Sequence, residues 1–204
     1  MSFQAVTPRL ILASGSAARR GVLTAAGILF EARVAAVDEA ALKAGARAEG
    51  LSVEDTALML ADMKAQRVAR LEPEALVIGC DQMLVCGTRW FDKPADMAEA
   101  RSHLLALRGV SHTLVTAIVC RRGGVRIWQH VARPRLTMRD FSEAFLDHYL
   151  AVEGEAALTS VGAYRLEGIG VQLFDAIAGE QTAILGLPML PLLGFLRQHD
   201  VLKR

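Results

Sequence analysis

Two acidic residues, two lysines and a serine turn carrying arginine are the side chains here whose types could do chemistry. Asp81 interrupts an apolar run: residues 75–80 and 83–86 have the length and composition of buried β-structure, and only Asp81 and Gln82 break them. An ionised carboxylate inside such a run is costly unless a cation, a metal or a hydrogen-bond network meets it. Asp81 therefore has two readings: it lines a polar cleft at the end of a core strand, or it is a paired or edge-strand aspartate. Lys93 follows a turn at Gly87-Thr88 and is fixed in place by Pro94. Ser14-Gly15-Ser16 lies between a strand over residues 9–13 and a helix over 17–26 that Gly27 stops. Backbone N–H groups at such a helix start, with the hydroxyls of Ser14 and Ser16, suit an anion. Arg19 and Arg20 oppose the helix dipole there, which an anion would explain; the alternative is an ordinary serine cap followed by solvated arginines.

Asp38-Glu39 directly follows a strand predicted over residues 28–37. Acidic pairs in loops are usually just solvated, but a second carboxylate near Asp81 would complete a magnesium site. Ser52 and Asp55 make a capping-box-like start to a helix reaching about residue 70. Its apolar stripe is Ala57, Leu60, Ala61, Val68 and Leu71, and Lys64 falls inside it. That lysine either snorkels to water along its stem or projects into a cleft to meet phosphate.

The remaining elements must hold these groups. Residues 96–108 form an amphipathic helix with Met97, Ala100, Leu104 and Leu107 on one face, ended by Gly109. Residues 113–120 and a long return strand over 125–138 make a hairpin through Arg121-Arg122-Gly123-Gly124. A short helix spans 142–150, a short element 171–178, and a nearly all-apolar, buried helix 188–198. No repeat or linker divides the 204 residues, so one domain over residues 1–204 is expected.

Composition narrows the function. With 52% hydrophobic and 22% charged residues the chain is a globular one, and 23 Lys plus Arg against 22 Asp plus Glu gives no basic excess for a nucleic-acid polymer. Cys80, Cys86 and Cys120 sit in apolar surroundings without C-x-x-C spacing and read as core residues of a reducing compartment. The N-terminus has no basic region followed by an apolar segment, and the apolar stretch 183–196 is broken by Gly186, Pro188, Pro191 and Gly194, so neither a signal peptide nor a membrane span is indicated and the cytoplasm is expected. The five histidines make no zinc pair, and no G-x-S-x-G elbow is present. Carboxylates, lysines and the arginine–serine turn suit metal-assisted attack on a phosphoryl group.

Taken together these residues resemble the Maf family. Leu12-Ala13-Ser14-Gly15-Ser16 with Arg19-Arg20, Asp38-Glu39, Lys64-Ala65, Ile78-Gly79-Cys80-Asp81-Gln82, Lys93-Pro94, Gly162-Ala163-Tyr164 and Gly186-Leu187-Pro188 occur in the family's order and at about its spacing. The resemblance implies an α/β fold, an elongated mixed β-sheet flanked by helices with two lobes around a central cleft, similar to that of inosine triphosphatases. It implies a cytoplasmic nucleoside triphosphate pyrophosphatase that cleaves between the α and β phosphates and needs a divalent cation, Mg2+ or Mn2+. By position, Asp81 would be the catalytic carboxylate, activating water directly or through the metal, with Glu39 its companion and fellow metal ligand. Lys64 and Lys93 would hold the triphosphate with Ser14, Ser16 and Arg19. Asp81-Gln82, together with residues 167–174, looks like the branch acting on 7-methyl-GTP, which makes Gln82 a substrate-binding residue; the branch with Asp-Thr at this place prefers dTTP and UTP. Ala17, Ser160 and Ala183 depart from the commoner proline, lysine and asparagine. The rival implication is a nucleotide-sensing regulator of cell division with little turnover, and a homodimer would be unsurprising.

Overall fold

The structure, a computed structural model, describes residues 3–203. It has the expected α/β architecture, a mixed sheet of eight strands with helices against it. In chain order the elements are β1 (Leu10–Leu12), α1 (Ala17–Ala25), β2 (Glu31–Ala32), α2 (Glu39–Ala48), α3 (Val53–Ala69), β3 (Leu76–Cys86), β4 (Arg89–Phe91) and α4 (Met97–Leu107). They continue with β5 (Ser111–Arg122), β6 (Val125–Ala132), β7 (Arg135–Met138), α5 (Glu143–Glu153), β8 (Phe174–Ala178), α6 (Gln181–Ile184) and α7 (Met189–Gln198). The chain forms two compact units: the first comprises residues up to Asp81, Thr116–Ala132 and Gln181 onward, the second Gln82–Val115 and Arg133–Glu180.

In the first unit β1 lies parallel to both β2 and the start of β3, and β6 folds back antiparallel on β5. Because strand side chains alternate, β3 presents two different faces. Leu76, Ile78 and Cys80 join Leu10 and Leu12 in the apolar cluster closed by Val22 and Leu23 of α1 and by Leu192, Phe195 and Leu196 of α7. Val77, Gly79 and Asp81 leave the strand on the other side, where α3 packs. A Cβ on Gly79 would collide with the carbonyl oxygen of Ala61 and lie 2.8 Å from the Cβ of Ala65, so only glycine lets α3 come this close. Ser52 caps α3, accepting from the Asp55 amide at 3.1 Å and donating to the Asp55 carboxylate at 2.6 Å.

The second unit turns at Gly87-Thr88 into β4 and pairs β7 with both β5 and β8. Asp96 caps α4 and Ser142 caps α5, and Ala100, Leu104 and Leu107 are buried as their spacing requires. A polar pair lies inside this unit: His112, 2% exposed, has Nε2 2.8 Å from the Tyr164 hydroxyl. Burial pushes the His112 imidazole down to about 4, so it is neutral in the folded protein.

Five expectations change. Asp81 lies in the middle of β3 rather than at a strand end, because Gln82 and the residues after it stay in the ladder. The strand predicted over 28–37 shrinks to Glu31–Ala32, which pair only with Ile11 and Leu12 and are exposed. Asp38-Glu39 opens α2 instead of a loop: the Asp38 carboxylate accepts from the Ala41 amide at 3.0 Å. The return strand is cut at Arg133-Pro134, where proline has no N–H to donate. Leu71 falls beyond α3 and is exposed, so it leaves the stripe. Among the described residues no helix is long and apolar enough to cross a membrane.

Gly79→Ala should lower the unfolding free energy by about 3 kcal/mol in urea titrations, since the added methyl meets backbone that cannot move alone. His112 gives a second expectation. Unfolded His112 binds a proton below pH of about 6.5 and folded His112 does not until about 4, so stability falls as pH drops through that window, by on the order of 3 kcal/mol. His112→Phe should flatten that slope in urea titrations between pH 7 and pH 4; an unchanged slope would assign the acid sensitivity elsewhere.

Candidate active site

Lys64 stands at the centre of the charged residues. It is in the fourth turn of α3, on the face that meets β3, and is 8% exposed. Its Nζ lies 2.7 Å from Asp81 Oδ1 and 2.7 Å from Glu39 Oε1. Three elements therefore contribute one group each: β3 the aspartate, α3 the lysine and the first position of α2 the glutamate. Asp81 is 3% exposed, whereas the Glu39 side chain is 46% exposed and connects the cluster to solvent. Lys64 does not snorkel; its ammonium is spent on the two carboxylates.

The electrostatics of Asp81 are contested. Burial raises its carboxyl above the ordinary value, and the Lys64 ammonium, then the Arg19 guanidinium, pull it back down. Direct contact with the ammonium at 2.7 Å makes this an ion pair in the folded protein. Lys64 satisfies only Oδ1, while Oδ2 is buried and has no hydrogen-bond partner. Such an orphaned oxygen invites a proton donor or a cation. The neighbouring Cys80 thiol is pushed up to about 11 by burial, so it remains protonated and is no nucleophile.

The serine turn is held by Arg19. Ser16 caps α1, its Oγ accepting from the Arg19 amide at 3.4 Å. The Arg19 guanidinium donates from Nε to the Gly186 carbonyl at 2.9 Å, and from Nη1 to the Cys80 carbonyl at 2.9 Å and to Ser14 Oγ at 3.2 Å. Gly186 has φ +91°, and a Cβ there would stand 2.9 Å from Arg19 Nε. Arg19 thus ties the turn, the Gly186 segment and the residue before Asp81, a structural use that the sequence pattern did not announce. Arg20 is exposed.

Of the predicted residues, Asp81 and Glu39 both touch Lys64, and Ser14, Ser16 and Arg19 form a second connected group joined to β3 through Cys80. Gln82, half-buried on β3, and Lys93, exposed after β4, belong to the second unit. The two carboxylates fit a hard divalent cation: both offer oxygen, one keeps a buried unpartnered atom, and magnesium commonly takes one or two protein carboxylates with waters and phosphates. Among the described residues no group of three or more His, Cys, Asp or Glu forms a fuller cage.

Residues 9–199 match the family described as Maf-like protein. The chain is 58% identical over 194 residues to a protein of Granulibacter bethesdensis named nucleoside triphosphate pyrophosphatase, covering 95% of this chain and 98% of that one. It is 50% identical to a Rhodospirillum rubrum protein of the same name, covering 97% and 98% of the two chains. A Rhizobium meliloti protein named 7-methyl-GTP pyrophosphatase is 53% identical, covering 94% and 96%.

Arg19→Lys keeps the charge but cannot serve three acceptors in two directions. It should cost about 2 kcal/mol of stability in urea titrations, by leaving carbonyl oxygens of Gly186 and Cys80 without a donor.

Proposed function

This chain belongs to the Maf family, and from that premise we propose that it is a nucleoside triphosphate pyrophosphatase, converting a nucleoside triphosphate to the monophosphate and pyrophosphate. The observation that carries the reading is the Lys64-bridged pair of Asp81 and Glu39, in the same unit as the serine–arginine turn at the start of α1. Acidic oxygens and cations in this combination serve phosphoryl chemistry, where position and charge do most of the work. The preferred substrate is a modified purine triphosphate such as 7-methyl-GTP, supported by Asp81-Gln82 and by the name of the Rhizobium meliloti relative. The protein works in the cytoplasm.

In this reading Asp81 and Glu39 hold Mg2+ or Mn2+, and the ion when bound supplies positive charge to the phosphate oxygens and to the water near them. Asp81 accepts the proton of the attacking water on a carboxylate oxygen. The water oxygen bonds to the α-phosphorus, the bond from that phosphorus to the α–β bridging oxygen breaks, and pyrophosphate leaves with the electron pair. Lys64 neutralises the charge growing on the leaving group, and Lys93 is assigned to the phosphates by sequence position. Ser14, Ser16 and the N-terminus of α1 hold the remaining phosphate oxygens, with Arg19 fixing the turn. Gln82 is assigned to the base by sequence position.

Product analysis decides between this and simple phosphatase action. With 7-methyl-GTP and Mg2+ the protein should release pyrophosphate and 7-methyl-GMP, and Asp81→Asn should lower kcat at least about a hundredfold, the scale of a lost general base. Release of orthophosphate, or full turnover by Asp81→Asn, would overturn the proposal.

A further inference from the structure

The Lys64 ammonium and a divalent cation claim the same two carboxylates. Nζ donates at 2.7 Å to one oxygen of each, so it occupies the place between Asp81 and Glu39 that a shared ion would need. We propose that Lys64 is an exchangeable counter-ion: it neutralises the carboxylates while the protein is metal-free, and gives them up when a divalent cation binds, its ammonium then turning to the incoming polyphosphate. This rests on the metal assignment made above and adds to it an order of occupancy.

Four observations carry the inference. Asp81 is buried, and a bare carboxylate at that depth is strongly destabilising, so the metal-free protein needs a resident cation there. Lys64 is that cation, with its stem inside the apolar stripe of α3 between Ala61 and Ala65. The lysine nevertheless leaves Asp81 Oδ2 unsatisfied and buried, so the aspartate keeps binding capacity that the ammonium does not use. Glu39, the other partner, is solvent-connected, which gives an aqueous ion a route to the pair. Residue type agrees: a compact ammonium on four methylenes can swing between partners, whereas the flat fork of arginine would be locked on a carboxylate. Two cations held on one pair of carboxylates repel at short range, which makes the two occupancies exclusive.

The test is Mn2+ binding to nucleotide-free protein, followed by the electron paramagnetic resonance of the unbound ion, with thermal unfolding alongside. Lys64→Met should bind Mn2+ at least tenfold more tightly than the wild type. In EDTA it should melt below the wild type, and saturating Mn2+ should raise its Tm more than it raises that of the wild type. Should Lys64→Met not fold without metal, Lys64→Gln, which keeps a hydrogen-bond donor without the charge, is measured in its place with the same expectations. Equal or weaker Mn2+ binding by the Lys64 variant overturns the exchange. Adding Asp81→Asn to that variant tells the two readings apart. If the double variant loses the ion while the Lys64 variant shows only wild-type affinity, the exchange alone fails; if it binds as before, the metal is not at Asp81 and the assignment beneath the proposal fails.

Discussion

The contact that the rest of the first unit depends on is the close approach of α3 to β3 at Gly79. Helices normally stand off a sheet by the thickness of their side chains, and here glycine on the strand faces Ala61 and Ala65 on the helix, so the backbones nearly touch. Strand alternation puts Asp81 on the same face as Gly79, and the helical repeat puts Lys64 beside Ala61 and Ala65. The ion pair at 2.7 Å follows from that geometry. Arg19 also holds the Cys80 carbonyl, so β3 is fixed at both residues that lead into Asp81.

Burying this cluster is poor economy for folding. Replacing buried ion pairs by apolar residues of similar size is often neutral or stabilising, while removing one partner is strongly destabilising. Cys80 beside Asp81, and the apolar stretch on either side, show that the strand could have been filled with hydrophobic residues. On the proposed reading the charges serve phosphate and cation binding: Lys64 satisfies the carboxylates enough for the protein to fold, and leaves one oxygen of Asp81 without a partner. Proteins commonly retain such local conflicts where function requires them.

Much of this was legible in the sequence, and the physical reasons are particular. Asp81 stood out because a carboxylate in an apolar run needs a partner, and Lys64 because a cation in an apolar helical stripe needs one too; each was the other's answer. The serine caps of α1 and α3 are readable because local chemistry sets them. The helix opened by Asp38 carries the same signal, an N-cap acid followed by Glu39 and alanines, but the apolar, strand-like residues before it suggest a loop there instead. Glu31–Ala32 are so short a strand because pairing partners, which no local pattern reveals, end at Leu12. Gly79 carries no local signal of its role, which comes from the helix opposite it. The carbonyls that engage Arg19, and the burial of His112 against Tyr164, join residues far apart in the chain and leave no local trace.

The glycine contact holds the charged pair together, and a double-mutant cycle in two backgrounds measures how far. Unfolding free energies of Lys64→Met, Asp81→Asn and the double variant, in metal-free buffer, should give a coupling of about 2 kcal/mol when residue 79 is glycine. Repeated with Gly79→Ala in every protein, the same cycle should lose most of that coupling. A coupling that survives the alanine undiminished would contradict the account, because the pair would then owe its geometry to something other than the approach of the helix to the strand.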